Sequence, residues 1–324
     1  MFDAQELARA TEVVRRHVPV TPTYAWPRLA EATGAHVWVK HENHTPTGAF
    51  KVRGGLVLAD ELVAGGFSGS LVSATRGNHG QSLSYAARAY GLEATIVVPE
   101  GNDPDQNAAM RAFGARVVVH GHDFQASREH AAALAEQTGG LLVQPYQPAL
   151  VRGVATYAAE LFDAVAAAGV RLRTVFVPIG MGSGASGVIG VRDLLGLDTE
   201  VVGVVSSGAP AYALSLAAGH VVSTNTAVTI ADGVATRSPD PLAFSVIAAG
   251  IARIVQVDDD AVRRAVRLLY DGTHQVAEGA GAIALAGLVA EIEATPGRHQ
   301  GADVGIVLSG SNLSAPRLAE ILAR

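Results

Sequence analysis

Short apolar runs alternate with longer helical segments along most of the chain. The apolar runs are rich in β-branched residues, as expected for strands covered on both faces, and they lie at residues 36–39, 71–73, 94–98, 115–119, 174–177, 201–205, 254–257 and 304–308. The longer segments have the composition or period of helices, and they lie at residues 3–17, 52–63, 81–90, 123–137, 151–168, 259–270 and 279–292. This alternation predicts an α/β fold with parallel sheets flanked by helices.

Asp123 and Asp258 stand immediately before predicted helices, and we expect both to be N-caps. No linker, low-complexity tract or repeat divides the chain, so a single cut into domains would be arbitrary. Two interleaved α/β lobes fit the pattern better. A ligand is then expected in the crevice between the lobes, where the carboxyl ends of the strands meet.

Composition excludes several classes of protein. The 324 residues carry 24 Lys and Arg against 30 Asp and Glu, a net charge of −6, and no basic block suggests a nucleic-acid partner. The absence of cysteine excludes disulfides, thiolate metal sites and cysteine nucleophiles. The start of the chain lacks a secretory pattern, and the uncharged stretch 201–231 is too polar and broken to cross a membrane. We therefore predict a cytoplasmic protein without membrane contact.

The first segment with candidate chemistry is residues 40–55, which contain Thr-Gly-Ala-Phe-Lys-Val-Arg-Gly. Lys51 follows the apolar Phe50 and begins a predicted helix, where both burial and the helix dipole lower the pKa of an amine. Such a lysine suits Schiff-base chemistry. Taken locally, the residues are more typical of a snorkelling lysine that begins a surface helix.

Two further segments are candidate anion sites. Residues 73–81, Ser-Ala-Thr-Arg-Gly-Asn-His-Gly-Gln, turn from a strand into a helix; free amides there can hold a carboxylate, although a well-capped helix start explains the same residues. Residues 177–187, Val-Pro-Ile-Gly-Met-Gly-Ser-Gly-Ala-Ser-Gly, can close around a phosphate. They also satisfy G-x-G-x-x-G, but the next strand ends without the acid that a dinucleotide site needs, so phosphate is preferred over a nicotinamide cofactor.

Ser309, at the end of the last predicted strand, can contact a ring nitrogen as a neutral partner, or serve only in a turn before a helix capped by Asn312 or Ser314. Other chemistries find little support, because the nucleophile-elbow, P-loop and zinc-protease motifs are absent from the sequence. His41 and His44 lie on a loop beside a proline, which is poor support for a metal site.

Taken in order, these segments, with Ala-Asp-Gly-Val-Ala at 231–235 and Leu-Ser-Gly-Ser-Asn at 308–312, resemble fold type II pyridoxal-phosphate enzymes of the threonine/serine dehydratase and serine racemase group. The resemblance extends from Thr21 to Asn312. It implies two interleaved lobes: a large cofactor-binding domain of residues 1–50 and 146–324, and a small mobile domain of residues 51–145. It also implies pyridoxal 5'-phosphate as cofactor and a homodimer.

The resemblance assigns roles position by position. Lys51 matches the lysine that is joined to the cofactor aldehyde, with Phe50 before it, and Asn78 matches the asparagine at the cofactor's phenolic oxygen. Ser309 matches the residue that faces the ring nitrogen. The phosphate loop corresponds to Gly180, Met181, Gly182, Ser183 and Gly184. The substrate carboxylate loop corresponds to Thr75, Arg76, Gly77, Asn78 and His79.

Departures from the family pattern bear on the substrate and on metals. The phosphate loop of most relatives has four consecutive glycines, whereas Met181 and Ser183 replace two of them here, so we expect that loop to be reshaped. Arg76 stands where the racemase has a serine acid/base; a guanidinium is a poor base, which argues against racemisation. The Arg76 side chain can pair with a second substrate carboxylate, stack on an aromatic substituent of the substrate or point to solvent. Val205 and Ala211 stand at the aligned metal-binding carboxylate positions, and no metal is predicted.

The predicted function is a pyridoxal-phosphate-dependent lyase of amino-acid metabolism. It eliminates the hydroxyl of a 3-hydroxy amino acid, serine or threonine by default or a bulkier or acidic one, to give a 2-oxo acid and ammonia. Another reaction on the same cofactor (racemisation, β-replacement or diamino-acid deamination) remains open, and a nicotinamide oxidoreductase or a noncatalytic binding protein are the alternatives outside this class. The chain stops soon after Ser309, so no C-terminal regulatory domain is expected.

Overall fold

The protein is built on two β-sheets in a computed structural model, of which residues 1–323 are described. The larger sheet has six strands in the order β1-β2-β10-β7-β8-β9. All neighbouring strands of this sheet are parallel except β1 and β2, which are antiparallel. Its strands are β1 (Thr23–Ala25), β2 (His36–His41), β7 (Thr174–Pro178), β8 (Glu200–Ser206), β9 (Arg253–Val257) and β10 (Asp303–Leu308).

The smaller sheet has four parallel strands in the order β5-β4-β3-β6. These strands are β3 (Ser70–Ala74), β4 (Glu93–Val98), β5 (Arg116–Val119) and β6 (Leu141–Leu142). All four lie inside the segment 51–145 that was predicted to form the small domain. The exact boundaries and the mobility of that domain stay predictions.

Helices cover both faces of the large sheet, because its strands are apolar on both sides. One core packs on one face, with Leu29, Leu269 and Leu285 among its buried residues, and a second packs on the other face, with Leu161 and Val188. The helices are α1 (Ala4–Arg15), α2 (Pro27–Thr33), α3 (Lys51–Ala64), α4 (Asn78–Ala89), α5 (Pro104–Ala112), α6 (Phe124–Thr138), α7 (Pro148–Ala167), α8 (Ser183–Leu194), α9 (Ala211–Ala218), α10 (Pro241–Gly250), α11 (Asp259–Thr273), α12 (Gly279–Ala294) and α13 (Ala315–Leu322).

The predicted α/β fold is confirmed, and all eight predicted strands and all seven predicted helices are present. Asp123 and Asp258 are N-caps, and their carboxylates accept hydrogen bonds from the amides of Ala126 and Ala261. The predicted segments do not include two short strands, β1 and β6, or six helices, α2, α5, α8, α9, α10 and α13. No helix within residues 1–323 is long and apolar enough to span a bilayer.

A buried cluster of charged side chains ties α3 to the large sheet. Arg53 is fully buried and donates from its guanidinium to the carboxylates of Glu42 at 2.7 Å and Glu160 at 2.8 Å. Lys40, also fully buried, lies 2.7 Å from Glu160 and donates to the Thr21 carbonyl at 2.8 Å. Because Arg53 is two residues after Lys51, these ion pairs fix the beginning of α3. We refer to Thr21, Lys40, Glu42, Arg53 and Glu160 as the buried charge cluster.

Candidate active site

One cavity of about 370 Å³ gathers most of the predicted site residues. It lies beyond the carboxyl ends of strands from both sheets, the place at which α/β proteins bind ligands. Nine predicted residues line it: Phe50, Lys51, Asn78, Gly180, Met181, Gly182, Ser183, Gly184 and Ser309. Pro178, Gly233, Val234, Glu278 and Ala280 complete the lining.

Four helices begin at this cavity. α3 begins at Lys51, α4 at Asn78, α8 at Ser183 and α12 at Gly279, which directly follows the lining residue Glu278. Each helix N-terminus carries about half a positive charge and several unpaired N–H groups. The cavity therefore favours a ligand with more than one anionic group.

Lys51 supplies the amine that lines the cavity. Its Nζ lies 4.9 Å from the centroid of the Phe50 ring and makes no hydrogen bond within residues 1–323. Burial lowers the pKa of this amine to about 8, while the nearby Glu278 carboxylate acts in the opposite direction. At pH 7 about a tenth of the amine is therefore neutral and nucleophilic, far more than for a lysine with the ordinary pKa of about 10.4. The chain contains only one other lysine, Lys40, which is held in the buried charge cluster.

The loop from Gly180 to Gly184 offers unpaired backbone donors. Within residues 1–323, no backbone N–H of residues 180–185 donates a hydrogen bond to the protein. A Cβ at Gly180 would lie 2.3 Å from the carbonyl oxygen of Gly233, so this position requires glycine. Gly182 has a left-handed backbone with φ of 99°, whereas Met181 and Ser183 do not. Met181 and Ser183, which replace two glycines of the family pattern, thus lie where the backbone conformation accepts a side chain.

Asn78 is held between two side chains from distant parts of the chain. Its Nδ2 donates to Glu278 at 2.6 Å, and its Oδ1 accepts a hydrogen bond from Asn312 Nδ2 at 2.7 Å. One N–H of the Asn78 amide remains free for a ligand. Burial raises the pKa of Glu278 to about 7, although its hydrogen bond from Asn78 acts to lower it.

Glu278 is a residue to which sequence reasoning assigned no role. Its segment, Ala-Glu-Gly-Ala-Gly at 277–281, attracts notice only as a glycine-rich helix start. Nothing in that pattern indicates that the carboxylate meets Asn78, because the two residues are 200 positions apart.

The predicted carboxylate loop is only partly at the cavity. Of Thr75, Arg76, Gly77, Asn78 and His79, only Asn78 lines it. Arg76 is half exposed and pairs with Asp232, with 3.2 Å between Nη1 and Oδ1. Thr75 is buried and its hydroxyl accepts a hydrogen bond from the amide of Gly77 at 3.2 Å. The N–H groups of Asn78, His79 and Gly80 make no hydrogen bond within residues 1–323.

His79 lines a smaller space on the other side of Lys51. That space, of about 200 Å³, is formed by Lys51, His79, Leu150, Val154 and Ser183, among others. The Nε2 atom of His79 is buried without a hydrogen-bond partner. Burial lowers the pKa of His79 to about 3, and the Lys51 charge lowers it further, so the imidazole is neutral near pH 7.

Ser309 directly follows β10 and lines the cavity. It is buried, and its hydroxyl donates to the carbonyl of Ala280 at 3.0 Å. The predicted metal positions, Val205 and Ala211, are both buried apolar side chains. No group of three or more potential metal ligands occurs among the residues that the structure describes.

The residues fit pyridoxal 5'-phosphate. This cofactor has an aldehyde, a phosphate dianion, a phenolic oxygen and a ring nitrogen, and the cavity holds a group of matching chemistry for each. Lys51 supplies an unpaired amine for the aldehyde, and the N–H groups of residues 180–185 suit the phosphate. Asn78 has a free N–H for the phenolic oxygen, and Ser309 is a neutral residue for the ring nitrogen.

A two-sheet α/β fold with a buried lysine in a cavity where four helices begin is the arrangement expected of a fold type II pyridoxal-phosphate enzyme. Comparison with known sequences agrees: the sequence model of the pyridoxal-phosphate dependent enzyme family matches residues 14–310. The chain belongs to this family, and its cofactor is pyridoxal 5'-phosphate.

Curated relatives are named as threonine ammonia-lyases or threonine dehydratases. An L-threonine ammonia-lyase from Thermotoga maritima is 29% identical over 323 residues, which cover 99% of this chain and 78% of that protein. A biosynthetic L-threonine dehydratase from Pasteurella multocida is 31% identical over 308 residues, 94% of this chain. The match spans only 58% of the length of that dehydratase.

Solved structures with the same fold include a threonine deaminase and a serine racemase. A threonine deaminase from T.th. has a TM-score of 0.89 at 32% identity, with 97% of this chain and 99% of that chain covered. Maize serine racemase has a TM-score of 0.90 at 25% identity, with 99% and 97% covered. The predicted class, a pyridoxal-phosphate-dependent lyase of fold type II, is confirmed.

Proposed function

We propose that the protein is a dehydratase, or ammonia-lyase, that converts a 3-hydroxy amino acid into a 2-oxo acid and ammonia. Serine or threonine is the default substrate, and phenylserine or 3-hydroxyaspartate are the bulkier and acidic alternatives. The observation that carries the proposal is the unpaired Lys51 amine in a cavity where four helices begin. Relatives named threonine ammonia-lyase and threonine dehydratase support the same reaction.

Lys51 acts twice in this proposal. Its amine would hold the cofactor aldehyde, and when it is not joined to the cofactor, Nζ would remove the proton from the substrate's α-carbon. When bound, the cofactor supplies an electron sink for the electrons left at that carbon. The pKa of about 8 suits the second role, because a base whose pKa lies near the working pH is both available and strong enough.

The groups around the cavity favour loss of the β-hydroxyl. Ser309 is uncharged and donates its hydroxyl proton to Ala280, so it cannot protonate a ring nitrogen as an acidic residue would. Beside such a neutral residue the cofactor would supply a weaker electron sink, which favours loss of the hydroxyl over reprotonation of the α-carbon. Loss of water and subsequent hydrolysis give the 2-oxo acid and ammonia, with no net change in oxidation state.

The substrate carboxylate is assigned to the start of α4. The N–H groups of Asn78, His79 and Gly80 have no acceptor within residues 1–323, and three converging amides at a helix N-terminus suit a carboxylate. Arg76 lies next to this helix start but is neutralised by Asp232. Default substrates with uncharged side chains are consistent with that pairing, because an acidic side chain would have to compete with Asp232 for the guanidinium.

The test is release of ammonia and 2-oxo acid from serine, threonine, 3-hydroxyaspartate and phenylserine by the holoenzyme. We expect both products in equal amounts from at least one of the four, and none from the Lys51→Ala variant. Inverted amino acid without ammonia would instead indicate a racemase. Substantial eliminase activity in the Lys51→Ala variant would refute the role of this amine.

A further inference from the structure

Three buried tyrosines lie behind the start of α8. Tyr212 donates its hydroxyl to the carbonyl of Met181 at 3.1 Å, and Tyr157 donates to the carbonyl of Gly184 at 3.2 Å. Tyr146 pairs with the hydroxyl of Ser186 at 3.1 Å. None of the three lines the cavity, so the hydroxyls of Tyr157 and Tyr212 reach the glycine loop from outside it.

These two hydrogen bonds determine where the loop's N–H groups point. A trans peptide unit is planar, with its C=O and N–H pointing in opposite directions. The carbonyl of Met181 points to Tyr212, so the amide of Gly182 points away from that tyrosine. By the same reasoning the amide of Ala185 points away from Tyr157. Neither N–H donates to any acceptor within residues 1–323.

The glycines of the loop and the two tyrosines are complementary. A Cβ at Gly182 would lie 2.8 Å from the Tyr212 hydroxyl oxygen, and a Cβ at Gly184 would lie 3.2 Å from that of Tyr157. Side chains at these positions would push the hydroxyls away from the loop. Burial raises the pKa of both phenols, so each hydroxyl keeps the proton that it donates.

We propose that Tyr157 and Tyr212 are positioning residues for the cofactor phosphate. By binding the carbonyls of Gly184 and Met181, they hold the adjoining amides toward the cavity, where they donate to the phosphate oxygens. These anchors explain how a loop with only three glycines in residues 180–184 keeps its donors aligned. The inference deepens the proposed function and rests on its assignment of the phosphate to this loop.

The test compares two forms of the cofactor, pyridoxal 5'-phosphate and pyridoxal, which lacks the phosphate. Dissociation constants are measured by absorbance titration of the apoprotein for wild type, Tyr157→Phe and Tyr212→Phe. We expect each variant to bind pyridoxal phosphate with a dissociation constant roughly 2- to 12-fold higher than that of wild type. This is the effect of losing one hydrogen bond. Pyridoxal binding should change by less than about 2-fold, because pyridoxal makes no phosphate contact.

Tyr146→Phe is the matched control, since it removes a buried hydroxyl that bonds a serine side chain rather than a loop carbonyl. It should leave the ratio of the two dissociation constants at the wild-type value. Equal weakening of both cofactors in Tyr157→Phe and Tyr212→Phe, or no weakening, would overturn the inference while leaving the proposed function intact. Wild-type apoprotein that binds neither cofactor would overturn the proposed function itself. Phenylalanine keeps the packed ring; if one variant fails to fold, the other decides.

Discussion

Replacing Arg53 with methionine should destabilise the protein strongly. The guanidinium lies at the centre of the buried charge cluster, and all of its nitrogens donate. Nε donates to Glu42 at 2.7 Å, Nη1 to Glu160 at 2.9 Å, and Nη2 to both carboxylates at 3.0 and 2.8 Å. Methionine fills much of the same volume but satisfies neither carboxylate.

The size of the effect follows from burial. Arg53, Glu42 and Glu160 are 0%, 0% and 4% exposed, so the two carboxylates left behind remain in a medium that solvates charge poorly. Removing one partner of a buried ion pair costs about 3–5 kcal/mol. Lys40 still pairs with Glu160 in the variant, but Glu42 keeps only the hydroxyl of Thr21. We therefore expect a loss of about 3–5 kcal/mol in the free energy of unfolding.

Arg152→Met is the matched control. Arg152 also makes a two-pronged contact with a carboxylate, that of Glu61, at 2.8 Å to each oxygen, but the Glu61 side chain is 43% exposed. A surface pair of this kind contributes about 0–1 kcal/mol. Both variants remove an arginine from a helix. The difference between their losses in the free energy of unfolding therefore reports the effect of burying the ion pair.

Urea unfolding of the apoproteins, followed by far-ultraviolet circular dichroism and by tryptophan fluorescence, measures both losses. The pKa of Glu160 is lowered, against the effect of its burial, by hydrogen bonding and attraction to Arg53 and Lys40. This stabilisation is present above the ordinary glutamate pKa of about 4.3 and is lost as pH falls through the lower folded value. The difference in the free energy of unfolding between wild type and Arg53→Met should therefore become smaller as the pH is lowered. A loss in Arg53→Met no larger than in Arg152→Met would refute the reasoning.

Further predictions concern the active site. Cofactor uptake by the apoprotein should accelerate with rising pH through about 8, the pKa of Lys51, because only the neutral amine attacks an aldehyde; a rate independent of pH across that range would contradict this. Asp232→Asn should free Arg76 and raise kcat/KM for 3-hydroxyaspartate relative to threonine, whereas Arg76→Ala should not; an unchanged ranking of substrates in both variants would exclude a substrate contact. A chelator should leave the rate unchanged, since Val205 and Ala211 stand at the aligned metal positions; a loss restored by magnesium would count against this.

The alternation of apolar runs sufficed to predict the sheets, because strands buried on both faces leave an unmistakable pattern. Three of the missed helices begin with Pro27, Pro104 or Pro241. The sequence analysis gave these prolines no role, although the first helical position accepts proline without losing a hydrogen bond. Strands β1 and β6, with three and two residues, are too short to show a period.

The candidate site was predictable where one segment supplies the chemistry. Lys51 and the Gly180–Gly184 loop each carry a local signal, a lysine at a helix start and clustered glycines. Glu278 carries none, because its meaning depends on Asn78, which is 200 residues away. The pairing of Arg76 with Asp232 likewise joins residues 156 positions apart, and sequence reasoning left the partner of Arg76 open between substrate and solvent. The homodimer and the cytoplasmic location stay predictions.

The central claim, that the cofactor is joined to Lys51, is tested most directly by borohydride reduction of the holoenzyme, proteolysis and mass spectrometry. The chain has two lysines, and Lys40 is fully buried in ion pairs, so it serves as an internal control. We predict one reduced phosphopyridoxyl group, on the peptide that contains Lys51. Modification of Lys40 or of the terminal amine, or no modification after reconstitution, would contradict the account.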